Sequence, residues 1–199
     1  MGLHLAGFEV VGVDLASQPR YPFRFAQGDA VEFIRRYGSR FSAVDASPPC
    51  QRYSLTQRIR GNDHPDLIGP SRDALESTGR PWSIENVDRA RPDLEDPVTL
   101  CGEMFGLRTY RHRLVEFGGG AHAVQPQHPA HPEPNTKMGR PVADGTYYHA
   151  VGNFSGVDLA RQDMRVPWMN RDGIRECIPP VYGTWIGRQL LAAVKGQGS

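Results

Sequence analysis

The hydrophobic and polar positions alternate between short apolar runs and stretches at helical spacing. Residues 9–15, EVVGVDL, form a largely β-branched run that ends on Asp14-Leu15 and predicts a buried strand. Ahead of it, residues 1–7 predict the end of a helix with Gly7 as its C-cap. FRFAQGDA, residues 23–30, predicts a second strand ending in Gly28-Asp29. Val31, Phe33, Ile34 and Tyr37 then recur at helical spacing, closed by Gly38. Residues 41–47 (FSAVDAS) predict a third strand, and 67–78 a helix beginning near Pro70 or Ser71. WSIENV at 82–87 and YRHRLVEFG at 110–118 predict the fourth and fifth strands. Near the C-terminus, Asn170 can cap a short helix that stops before Pro179-Pro180. A last helix puts Val181, Trp185, Ile186, Leu190 and Ala193 on one face.

Strands separated by helical patterns predict βαβ units and a mostly parallel sheet, an α/β fold. Ligands of such sheets sit at the carboxyl ends of the strands. Asp14, Asp29, Cys50 and the pair Glu85-Asn86 all fall at or just past predicted strand ends. Between residues 118 and 156 Gly, Pro and His dominate, which predicts an inserted loop region with little core of its own.

Composition narrows the function classes. The chain has 199 residues, enough for one domain with a small insertion. Its 23 Lys and Arg nearly balance 22 Asp and Glu, so net charge does not indicate a nucleic-acid partner. A local cluster, Arg52, Arg58 and Arg60, is the candidate basic patch. The three cysteines, at 50, 101 and 177, make neither a disulfide framework nor a paired zinc spacing, and predict a reducing, cytoplasmic setting. The first 15 residues lack the marks of a signal peptide, and no apolar run approaches the roughly 18 residues of a membrane span.

Each candidate residue has two readings. Cys50 follows Pro48-Pro49 on a stiff corner, where a thiolate could act as a nucleophile; a small buried hydrophobe is the alternative. Glu85 ends an apolar strand, where burial would raise its pKa and make it a proton donor; the alternative is a cap or turn acid. Arg111 and Arg113 alternate along YRHRLVEF and share a face, either as donors into a cleft or as charges on an exposed edge strand.

Together these segments resemble the cytosine-5 DNA methyltransferase family in its compact phage-type form. PPCQRYS is similar to the family's nucleophile loop, IENV to its glutamate motif, and YRHR to the motif that supplies arginines to a flipped base. AGFEVVGVDL and QGDA resemble its second and third cofactor segments, and IPPVYGTWIGRQLL its closing helix. The motifs stand in the family's order across nearly the whole chain.

The resemblance implies a Rossmann-like, S-adenosylmethionine-dependent methyltransferase sheet. Residues 1–117 would be the catalytic core, 118–156 a small DNA-recognition insertion and 157–199 the C-terminal helices completing the core. It implies that a cytosine swings out of double-stranded DNA and that Cys50 attacks C6. Glu85 would hold and protonate N3, and Arg113 would donate to O2 with Arg111 in support. C5 would then accept a methyl group from S-adenosylmethionine, with water removing the C5 proton. Asp14 would accept from the ribose hydroxyls, Leu15 pack on the adenine and Asp29 accept from its amino group, with Ala30 and Pro48 beside them. Each aspartate has a turn or cap role as its alternative. Gln51, Arg52, Ser54, Asn86, Lys137 and Arg140 are the implied DNA contacts, and the protein would act as a monomer. His122, His128 and His131 lie in the insertion with no cysteine or acid cluster nearby in sequence, so the default is a polar loop and no metal is expected.

Two departures stand out. The glutamine that usually opens the arginine motif is Thr109. The family's first strand and its Phe-x-Gly-x-Gly turn, which cradles the cofactor's methionine end, have no counterpart ahead of MGLHLAGF. That strand lies in the middle of the family's sheet, so its loss would leave two neighbouring strands with unpaired backbone groups, each costing about 1–3 kcal/mol. A start at an internal methionine, a strand supplied by a partner chain, or a non-catalytic DNA-binding remnant would each account for it. The first is favoured because the other motifs are chemically intact. Another cytosine-C5 modifier with a different one-carbon donor is the rival enzyme.

Overall fold

A computed structural model describes residues 1–49, 66–137, 139–152 and 154–197. Among these residues it is a mixed α/β structure with two small sheets and about 36% helix, and no closed barrel. The elements run α1 (Gly2–Leu5), β1 (Val11–Asp14), β2 (Arg24–Gln27), α2 (Ala30–Tyr37), β3 (Val44–Ala46), α3 (Ile68–Glu76), β4 (Trp82–Asn86), β5 (Val98–Leu100), β6 (Arg113–Gly118), α4 (Val157–Asp163), α5 (Arg171–Glu176) and α6 (Pro180–Gln197). No helix among the described residues is long and apolar enough to cross a membrane.

The sheets are divided. β1 and β2 pair in parallel as one sheet, and the other has the order β3-β4-β6-β5. β3 and β4 are parallel, whereas β6 runs antiparallel to both β4 and β5. The mostly parallel sheet expected from sequence is therefore corrected: two of the three pairings in the larger sheet are antiparallel, and the two-stranded sheet is parallel. The cause is the link from β5 to β6, which holds only a 3-10 turn (Gly102–Phe105) and no crossover helix, so the chain returns in the opposite direction. β5 itself is a three-residue strand in VTL and is not apparent from apolar periodicity.

Helices cover the larger sheet on both faces. On one, Ile34 of α2 and Ile68, Ala74 and Leu75 of α3 pack with Trp82, Ile84 and Leu114. Ile68, Ser71, Ala74 and Leu75 are the buried stripe of α3, at the spacing an amphipathic helix requires. On the other face, Tyr182, Ile186 and Leu190 of α6 pack with Leu100, Val115, Phe154 and Ile174. Leu114 and Val115 are successive residues of β6 that point to opposite faces and so join different cores. α1 crosses α6 so closely that a Cβ on Gly2 would lie 2.6 Å from the Gly183 Cα. Local signals explain the ends: Asp29 caps α2 by accepting from the Glu32 amide at 2.9 Å, and Asn170 caps α5 by accepting from Gly173 at 2.8 Å.

Residues 119–150 carry one isolated bridge, Asn135 with Tyr147, and no helix or strand among those described. They build no separate core. Ala121, Tyr148 and Ala150 instead join the α6-side core. Gln125 accepts from the Thr99 amide at 2.7 Å and donates to its carbonyl at 3.0 Å, covering the outer edge of β5 as a strand would.

Candidate active site

The site begins with the parallel register of β3 and β4, which pairs Val44 with Trp82 and Ala46 with Ile84. One step further along, Ser47 comes beside Glu85 and Pro48 beside Asn86. Asn86 fixes this junction by donating from Nδ2 to the Pro48 carbonyl at 3.0 Å, while its Oδ1 accepts from the Val87 amide. The Asn86 side chain is buried with both ends engaged inside the protein. Its role is to hold the end of β3, from which the chain runs into Cys50. Cys50, Gln51, Arg52 and Ser54, like Arg58 and Arg60, lie outside the described residues.

Glu85 is 5% exposed in a strand buried along its whole length. Burial raises its carboxyl to about 7 against the pull of Arg113; the Asp45 charge adds to the rise, and Ser47 and Arg111 oppose it. Arg113 Nε stands 2.8 Å from Glu85 Oε1. Its N–H is not aimed at that oxygen, so the attraction is Coulombic and Oε1 is buried without a hydrogen bond. Glu116 of β6, opposite Ile84 and one register step from Glu85, makes a contrast. Glu116 accepts from Arg72 Nε at 2.6 Å, from Arg72 Nη2 at 2.7 Å and from the Glu95 amide at 2.8 Å. That bidentate pair is a satisfied structural tie. Glu85 keeps an acceptor or, when protonated, a donor for something else.

The two arginines differ in role. Arg113 opens β6 and also donates to the His112 carbonyl at 2.8 Å. Arg111 was expected on the same extended strand, but the strand starts at Arg113 and Arg111 has φ of +31°. Its guanidinium donates to the carbonyls of Ala150 (3.1 Å), Arg175 (2.7 Å) and Cys177 (2.6 Å). It ties the 119–150 segment and the C-terminal helices to the site, and its charge reaches Glu85 only at longer range.

A cavity of about 580 Å³ opens between β1 and β3. All five residues assigned to the cofactor, Asp14, Leu15, Asp29, Ala30 and Pro48, line it, together with Val11, Val13, Phe33 and Val44. Among the described residues the facing edges of β1 and β3 have no strand between them. Asp14 Oδ1 accepts from the Ala16 amide at 2.8 Å and Oδ2 from Gln18 Nε2 at 3.2 Å, a turn role that leaves further lone pairs exposed. Asp29 uses Oδ1 for the helix cap, and its other oxygen is not needed there. The size falls within the roughly 300–1,000 Å³ of small-molecule sites.

Lys137 and Arg140 are exposed on a turn of the 119–150 segment, where the Arg140 amide donates to the Lys137 carbonyl at 3.0 Å. Sequence reasoning missed Asp45, whose carboxyl is raised by burial and accepts from Ser83 Oγ at 2.7 Å in the cavity wall. The acid in FSAVDAS was a visible signal, but it sits inside a strand and not at its end. Comparison with protein-family models, with curated proteins and with solved structures finds no match for this chain.

Proposed function

We propose that the protein is a DNA cytosine-5 methyltransferase with a Rossmann-like core, using Cys50 as nucleophile and Glu85 as acid. One observation carries the reading. A buried carboxyl with an unbonded oxygen, kept partly protonated near neutral pH, sits beside an arginine at the strand end next to the segment leading into Cys50. The sheet order adds support. The family's first strand, placed between β1 and β3, would join β2-β1 and β3-β4-β6-β5 into one continuous sheet.

The chain's residues supply a balanced sequence. The Cys50 thiolate adds to C6 of a flipped cytosine, and the displaced electron pair moves towards N3 and O2. Neutral Glu85 donates its proton to N3, and Arg113 stabilises the charge on O2. C5 is then nucleophilic. S-adenosylmethionine, when bound against Asp14, Leu15, Asp29, Ala30 and Pro48, supplies an electrophilic methyl group. Loss of the C5 proton to water re-forms the ring double bond and expels the Cys50 thiolate, and N3 returns its proton to Glu85. Lys137 and Arg140 supply positive charge for the phosphate backbone.

The test is bisulfite sequencing of DNA from cells expressing the protein, with nucleoside mass analysis of the same DNA. Protected cytosines in a recurring context carrying one added methyl mass are expected, and none with Cys50→Ser. Equal conversion in both overturns the proposal, and a hydroxymethyl or carboxymethyl mass assigns a different one-carbon donor.

A further inference from the structure

We propose that Cys101, His112, His128 and His131 form a structural zinc site that fastens the 119–150 segment to the edge of the larger sheet. Cys101 Sγ and one ring nitrogen from each histidine all lie within 4.8 Å of one another. Cys101 Sγ is 3.1 Å from His131 Nε2, and His112 Nε2 is 3.0 Å from His128 Nε2. A tetrahedral zinc ion with ordinary bond lengths needs N···N separations of about 3.3 Å and S···N of about 3.5 Å. The four atoms are therefore already gathered at the scale of one coordination shell.

The fold explains the grouping. β5 pairs antiparallel with β6, with Leu100 opposite Arg113. The next pair outward is Cys101 opposite His112, so two ligands come from neighbouring strand ends. The other two come from HPAH in the loop, a spacing of two intervening residues. The premise that no cysteine lies near these histidines holds only along the sequence. His122 is not part of the group.

Further contacts orient the rings. His128 Nδ1 lies 2.9 Å from the Pro129 carbonyl and donates to it, which leaves Nε2 with its lone pair free towards the cluster. His131 stacks on Tyr110 with ring centroids 3.9 Å apart. Asp88 and Glu103 are close enough to act on His112 and His131, and would offset the site's positive charge. Four protein ligands close a zinc shell, which makes the site structural, and the mixed sulfur and imidazole set suits zinc over magnesium or calcium. On binding, Cys101 releases one proton and the three histidines bind as neutral imidazoles. The segment has few core residues, the situation in which a metal staple contributes most.

The test uses the full chain with zinc and cobalt as probes. Purified protein dialysed against metal-free buffer should retain about one zinc per chain. Cobalt added to the stripped protein should give the intense visible bands of a tetrahedral ion and a thiolate-to-cobalt charge-transfer band. Cys101→Ser should lose the charge-transfer band, while Cys177→Ser keeps it. His128 is exposed, so His128→Ala should keep the native circular dichroism while zinc binding weakens by more than about 100-fold, beyond what outer-shell changes cause. Sub-stoichiometric zinc without a cobalt spectrum, or a charge-transfer band surviving Cys101→Ser, overturns the site. The readout is independent of DNA methylation, so the two proposals fail separately.

Discussion

Glu85→Gln tests the electrostatics of the site without any substrate. In the folded chain the Glu85 carboxyl is raised from 4.5 to about 7, chiefly by burial. The folded state therefore binds more protons than the unfolded state between those values, and stability must fall as pH rises through that window. At 1.36 kcal/mol per pKa unit, the loss is about 3 kcal/mol by pH 8, with none of it present below about pH 4.5. Glutamine keeps the shape and removes the titration. Burial also moves Asp45 upwards and His112 and His131 downwards, so the quantity to measure is the difference between wild type and variant. Urea unfolding across pH 4–8 supplies it. With a slope of about 2 kcal/mol per molar, the wild-type midpoint should fall by roughly 1.5 M relative to Glu85→Gln between pH 4.5 and pH 8. Parallel profiles would show that Glu85 ionises normally, and its role as proton donor to N3 would lose its physical basis.

Arg72→Ala strands the buried Glu116 carboxylate and should cost about 3–5 kcal/mol in urea unfolding, whereas Arg72→Ala with Glu116→Leu should recover most of it. Fusing a strand ending in a Phe-x-Gly-x-Gly turn ahead of Met1 should fill the gap between β1 and β3; calorimetry should then show tighter S-adenosylmethionine binding than the unextended chain, and equal tight binding by both would refute that use of the gap.

Much of the fold was legible because it rests on local signals. The apolar runs at 9–15, 41–47 and 82–87 contain β1, β3 and β4, and the caps at Asp29 and Asn170 start the helices that follow them. β5 was not legible, because three residues of VTL carry no periodicity and are held by pairing with β6 and by the Gln125 side chain. Arg111 was misjudged because alternation presumes extended backbone, and a positive φ breaks it. The five residues proposed for a cofactor share one cavity because the ends of β1, β2 and β3 converge on it whatever their separation in sequence. That Asn86 braces Pro48 is revealed only by the β3–β4 register. The Cys101 and His112 pairing needed that same knowledge of register, which a single sequence does not display.

The central claim is that Cys50 and Glu85 act on one pyrimidine ring. Incubation with S-adenosylmethionine and a duplex containing 5-fluorocytosine tests it most directly, because fluorine at C5 blocks release of the nucleophile. Mass spectrometry of the digested product should find the DNA adduct on Cys50, with none formed by Cys50→Ser and far less by Glu85→Gln. An adduct on another residue, or wild-type protein that binds both DNA and cofactor yet forms none, would contradict the account.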